Sequence, residues 1–163
     1  MNVRIKRIIF SILIIINCIV IFKFSSQDSE KSNETSGVVV NRVVNTISTV
    51  NKKVKKESIK DTVTFMVRKC AHFSIYTLLG IWLMNLTNTF DISTKRKILM
   101  CVLFGILYAS SDEFHQSFVG GRSPEVRDVC IDTCGVLFGN ILVIIFSKII
   151  SVIKRPKQLP GNW

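Results

Sequence analysis

At 163 residues, 48% of them hydrophobic and with mean hydropathy +0.38, the chain has the size of one domain but is too apolar for an ordinary soluble one. Its 22 Lys and Arg against 11 Asp and Glu leave a net charge of +11. Most of that excess flanks apolar blocks and no basic-aromatic surface accompanies it, which favours membrane lipids as partners and excludes nucleic acid.

In chain order, Arg4, Lys6 and Arg7 precede an apolar run over 8–22. No small-x-small cleavage pattern follows it, so the segment reads as an uncleaved first span over about 8–24. Residues 25–36 read as a polar loop. Val40, Val43, Val44, Ile47, Val50 and Val54 then recur at spacings of three and four, with Arg42, Lys52, Lys53, Lys55 and Lys56 around them. That pattern predicts an amphipathic helix, either lying at the membrane surface or packed on the spans.

Apolar blocks over about 70–86, 98–113 and 126–150 complete four spans. The second and third reach the required ~20 residues only by extending into their polar ends. The expected fold is all-α: a polytopic membrane protein with four transmembrane helices, an outer loop over 25–69 carrying an interfacial amphipathic helix, and one domain over 1–163 with its core at about 8–150. The five cysteines, Cys18, Cys70, Cys101, Cys130 and Cys134, suit neither a disulfide framework nor a zinc finger. Cys130 and Cys134 are expected as small packing residues.

Lys95, Arg96 and Lys97 follow the second span, and Lys148, Lys154, Arg155 and Lys157 close the fourth. With the basic start, all three groups fall on one side of a four-span chain, which predicts both termini in the cytoplasm. The segment 25–69 is also net basic and counts against that placement.

The densest polar stretch runs over 108–128, with Asp132 one turn further, and joins the third and fourth spans. Such groups in or beside lipid are costly and mark substrate, ion or proton sites. Tyr108, Asp112, His115 and Gln116 share one face of the third span; Asp128 and Asp132 share a face of the fourth that continues through Gly135 and Gly139. His72 and Tyr76 share a face of the second, with Lys69 three residues before. A bundle aiming these faces inward gathers His72, Asp112, His115, Asp128 and Asp132 in one pocket at the outer side. Gly120 and Gly121 permit a tight turn, Ser123 suits an N-cap and Pro124 the first helical position. That helix start, with Arg122 and Arg127, suits a phosphate or carboxylate.

Structural readings compete with this one. Asp132 can pair with Lys69 or Arg68 to lock the bundle, Asp112 and Glu113 can cap a helix end in water, and Gly135-x-x-x-Gly139 can serve helix packing. The whole set exceeds what a structural bundle needs.

The chain resembles the VanZ-like family of small bacterial membrane proteins. The resemblance rests on Phe24-Ser-Ser-Gln-Asp-Ser-Glu-Lys-Ser, Arg68-Lys-Cys-Ala-His-Phe-Ser-Ile-Tyr, Tyr108-Ala-Ser-Ser-Asp-Glu-Phe-His-Gln-Ser-Phe and Gly121-Arg-Ser-Pro-Glu-Val-Arg-Asp-Val-Cys-Ile-Asp-Thr-Cys-Gly, and covers about 8–150. It implies a multi-pass protein of the bacterial cytoplasmic membrane, and an association with lowered susceptibility to the glycopeptide teicoplanin. It singles out Lys69, His72, Tyr76, Asp112, Glu113, His115, Gln116, Arg122, Asp128 and Asp132. It supplies no reaction, and Gly120 stands where a proline is expected.

Three functions remain open. An enzyme acting on a lipid-linked or cell-envelope anion at the outer leaflet would use His72, Asp112, His115, Asp128 and Asp132 catalytically, with His115 or His72 as acid or base. Lys69, Tyr76, Glu113, Gln116, Arg122 and Arg127 would hold the substrate. Asp112, Glu113, His115 and Asp128 are the metal candidates, for Mg²⁺ or Mn²⁺, or for Zn²⁺ if histidine joins. A non-catalytic binder of a lipid precursor or drug needs the arginines but no titrating histidine. A small proton-coupled transporter would use His72 and Asp132 as its relay.

Overall fold

The computed structural model describes residues 2–27, 29–50, 56–120 and 125–154. The chain forms α1 (Val3–Ser25), α2 (Ser29–Val50), α3 (Lys56–Thr87), α4 (Thr94–Gln116) and α5 (Val126–Ile153), with no strand among the described residues. Helices α1, α3, α4 and α5 are each long and apolar enough to cross a membrane. All-α architecture with four such helices agrees with the expectation.

The helices α1, α3, α4 and α5 pass up and down in turn, so α3 and α5 run parallel. They meet along a seam of glycines. A Cβ on Gly80 would lie 2.2 Å from the Val136 carbonyl oxygen, and one on Gly139 would lie 2.2 Å from that of Thr77. Only hydrogen fits there, so the two backbones approach directly, as in membrane helix pairs held by small residues. Gly135 sits the same way against Phe73. This seam answers the packing reading of Gly135 and Gly139, and adds Gly80 to it.

Tyr76, Leu79, Leu83, Met84, Cys101, Ala109 and Val136 fill the core between α3, α4 and α5. Helix α1 closes the bundle with Ile14 and Ile21, and Tyr108 Oη donates to the Cys18 carbonyl at 2.7 Å. Its opposite side exposes Ile5, Ile8, Ile12, Ile15, Ile16 and Ile19. A ridge of that kind is expected to face lipid rather than water.

The bundle has two unlike ends. At one, Arg7 donates to the Thr89 hydroxyl and carbonyl at 3.1 and 3.0 Å and lies 4.1 Å above the Phe90 ring. The N-terminus, the start of α4 with Lys95 to Lys97 and the end of α5 share this basic end. The end of α1, the middle of α3, the end of α4 and the start of α5 share the other, polar end.

Two boundaries differ from the sequence reading. Helix α3 starts at Lys56, not near 70; its 32 residues extend to about 48 Å at 1.5 Å each, well beyond a ~30 Å hydrocarbon core. Helix α2 starts at Ser29, inside the stretch expected as a loop over 25–36. Both differences have one cause. Val40 and Val44 pack on Val63, flanked by Ile59 and Val67, and Lys56 reaches Asn45 Oδ1 at 2.8 Å. An antiparallel helical hairpin thus sustains α2 and the polar first part of α3, which neither propensity nor hydropathy announces. Packing on a span is therefore realised for this helix, while Val39, Val43 and Ile47 stay exposed along the groove it forms with α3. Lys52, Lys53, Val54 and Lys55 lie outside the described residues. Cys130 and Cys134 are exposed and not in the packing role expected, because Asp132, Gly135 and Gly139 take α5's inward face.

Candidate functional site

The glycine seam fixes the register between α3 and α5 at the polar end. Moving outward from Gly135 opposite Phe73, the next inward residue of α5 is Asp132, which meets His72, with Nδ1 to Oδ2 at 3.7 Å. One turn further out, Asp128 forms an ion pair with Lys69. Asp132 therefore pairs with His72, and not with Lys69 or Arg68 as the bundle-lock reading had it.

Helix α4 delivers Asp112 to the same place. Donor atoms of His72, Asp112 and Asp132 all lie within 4.8 Å of one another. Asp112 is 3% and Asp132 1% exposed, whereas His72 is half-buried. Neither Asp132 carboxylate oxygen has a hydrogen-bond partner, and nor has the hydroxyl of Tyr76, one turn further in on α3. Tyr76 is fully buried and faces both carboxylates. Ser25, at the end of α1, is also fully buried beside Asp112, its hydroxyl short of hydrogen-bonding geometry. Four helices thus contribute to one desolvated polar pocket.

A second layer holds it. Gln116 Nε2 donates to Asp112 Oδ2 at 3.2 Å and to Glu113 Oε1 at 3.3 Å. Glu113 Oε2 accepts from the Glu125 backbone N–H at 2.9 Å. Glu125, in extended conformation, is the N-cap of α5, which begins at Val126; the expected cap at Ser123 and helix start at Pro124 are displaced by two residues. The N–H before this helix is held by the protein's own carboxylate, which occupies part of the anion position expected there. Ser123, Pro124 and Arg122 lie outside the described residues.

Other candidates stand apart from the pocket. His115, three residues past Asp112, turns to α1, where it stacks on Phe22 at 4.5 Å and its Nε2 lies 3.1 Å from Ser26 Oγ. Arg127 binds Glu125 at 2.6 Å and lies 5.2 Å from the Phe65 ring centre, on the exposed rim. Of the metal candidates, only Asp112 belongs to the close group; Glu113, His115 and Asp128 have other partners.

Sequence reasoning did not select Ser25, nor the buried Asn17, whose Oδ1 is unpartnered, nor the buried, unpartnered amide of Asn140. A lone amide in the middle of an apolar span is itself costly, and that signal was present at both.

The Lys69–Asp128 pair yields a prediction. Its side chains are 21% and 17% exposed, so removing one partner leaves a poorly hydrated charge. Lys69→Met is expected to cost about 2–3 kcal/mol, and Lys69→Met with Asp128→Leu to recover more than half of it. A double-mutant cycle on thermal unfolding in detergent checks this; additive losses would show that the two charges do not interact.

The profile of the VanZ/LLP1 family matches residues 10–147. The chain belongs to the VanZ/LLP1 family. The match contains the pocket residues from Ser25 to Asp132 and nearly all of the four apolar helices, so this is a VanZ-like, multi-pass membrane protein. No curated protein and no solved structure matches the chain.

Proposed function

We propose that this VanZ-like protein acts at the outer face of the bacterial cytoplasmic membrane, on an anionic, lipid-linked substrate of the cell envelope. In this reading both termini are cytoplasmic and the polar end faces outward, as the positive-inside rule requires of the basic end. Lowered susceptibility to glycopeptides such as teicoplanin would follow from an altered lipid-linked precursor or surface charge.

The observation that carries the reading is a cavity of about 250 Å³ between α1, α2 and α3. Ile21, Phe24, Val39, Val67, Ala71 and Ile75 make its apolar wall, and Arg68 and His72 line it too. An amphiphile fits such a wall: a hydrocarbon chain against the aliphatic side, an anionic head beside a guanidinium. His72 belongs both to this cavity and to the buried group with Asp112 and Asp132, so the head would lie beside the reactive cluster. Arg68 thereby joins the candidate substrate-binding residues. Within this reading His72 serves as proton donor or acceptor, positioned by Asp132.

Profiling of envelope lipids and wall precursors, with and without the protein, tests the proposal. Wild type is expected to change at least one anionic precursor and Asp112→Asn to abolish the change. Arg68→Ala is expected to weaken it about tenfold, the effect of losing one charge-assisted contact. Identical profiles for wild type, Asp112→Asn and cells lacking the protein would refute it.

A further inference from the structure

We infer that His72, Asp112 and Asp132 form a binding site for one divalent transition-metal ion, Mn²⁺ or Zn²⁺, at the inner end of the cavity. The donor atoms lie within 4.8 Å of one another, and come from three different helices. Atoms sharing one ion at ~2.1 Å sit roughly 3–4 Å apart, so side-chain rotation alone closes the set. Two carboxylates and one imidazole supply mixed oxygen and nitrogen ligands, which favours Mn²⁺ or Zn²⁺ over Mg²⁺ or Ca²⁺.

Charge and hydrogen bonding independently point to a ligand. Among the described residues, Lys69 is committed to Asp128 and Arg127 to Glu125, so no lysine or arginine pairs with the Asp112 or Asp132 carboxylate. Asp132 is 1% exposed with both oxygens unpartnered, and Tyr76, fully buried, aims an unpartnered hydroxyl at the same space. A bare buried carboxylate is costly, and a dication beside two of them brings the group to neutrality. Tyr76 and Ser25 are then placed to accept hydrogen bonds from an ion-bound water. The open coordination positions would face the cavity, where water or an oxygen of an anionic headgroup completes the shell.

The role of the ion rests on the proposed function, but its binding does not. The full chain in lipid nanodiscs is titrated with Mn²⁺ followed by electron paramagnetic resonance, and Zn²⁺ bound per chain is measured by mass spectrometry. One ion per chain is expected. Asp112→Asn and Asp132→Asn are each expected to weaken binding by at least about 100-fold, the upper end of what even outer-shell partners cost. Asp132→Glu, which keeps a carboxylate, retains the ion, and His115→Gln binds as wild type. Binding that survives both Asn variants, absence of binding to wild type, or loss in His115→Gln overturns the inference. Should the ion bind as described while envelope profiles are unchanged by the protein, the substrate reading fails and the metal site stands. Should no ion bind while profiles still depend on Arg68 and Asp112, the reverse holds.

Discussion

Asp132→Asn is expected to abolish any envelope phenotype of this protein while leaving its melting temperature, measured with a chelator present, unchanged or higher. The two outcomes share a physical origin. Asp132 is 1% exposed, its oxygens lack hydrogen-bond partners, and its nearest basic group is a histidine nitrogen 3.7 Å away. A carboxylate so placed opposes folding, and an amide of the same shape removes that penalty. The charge is also what orients an imidazole or holds a cation, and its loss should reduce activity by roughly 100-fold or more. Precursor profiling at matched protein levels, paired with thermal unfolding, checks both halves. A variant that keeps full function would show that the carboxylate is only structural. A variant that loses function together with its fold would show the same.

The second large effect is expected at the glycine seam. A Cβ at Gly139 would approach the Thr77 carbonyl oxygen to 2.2 Å, and that oxygen belongs to helix backbone that cannot swing aside. Gly139→Val therefore has to push α3 and α5 apart. The strain amounts to about 3 kcal/mol, or roughly 10 °C in melting temperature for a chain of this size. Because Gly135 and Gly139 set the register that brings Asp132 to His72, function should fall further than stability. Gly37, inside α2 and with nothing within 4 Å of an added Cβ, is the control and should tolerate alanine with no loss of stability. Equal unfolding temperatures for Gly139→Val and wild type would rule out the direct backbone contact.

Much of this arrangement was legible in the sequence. The four apolar blocks gave the spans, because hydrocarbon-length apolar runs have few other uses. The i, i+4 relation of Asp128 and Asp132 gave their common face. Topology alone placed His72, Asp112 and Asp132 at one end. The partners within that end were not legible, since they depend on helix rotation and register. Lys69 takes Asp128 rather than Asp132 because Gly80, Gly135 and Gly139 determine how far α5 slides along α3. His115 turns to Phe22 and Ser26 because three residues carry it 300° around α4 from Asp112. The long α3 and the early start of α2 were hidden for another reason: α2 and the first part of α3 are polar alone and are stabilised by Val40, Val44 and Val63 across the hairpin.

The central claim is that His72, Asp112 and Asp132 face one another in a single pocket. Pairwise cysteine cross-linking in native membranes tests it most directly, in a background lacking the five natural cysteines, with Cys130 restored only for the control pair. His72→Cys with Asp132→Cys, and His72→Cys with Asp112→Cys, should be joined within one chain by a short bifunctional maleimide, whereas Cys130 paired with His72→Cys should not. Failure of both pocket pairs, with the Cys130 pair linking instead, would contradict the account.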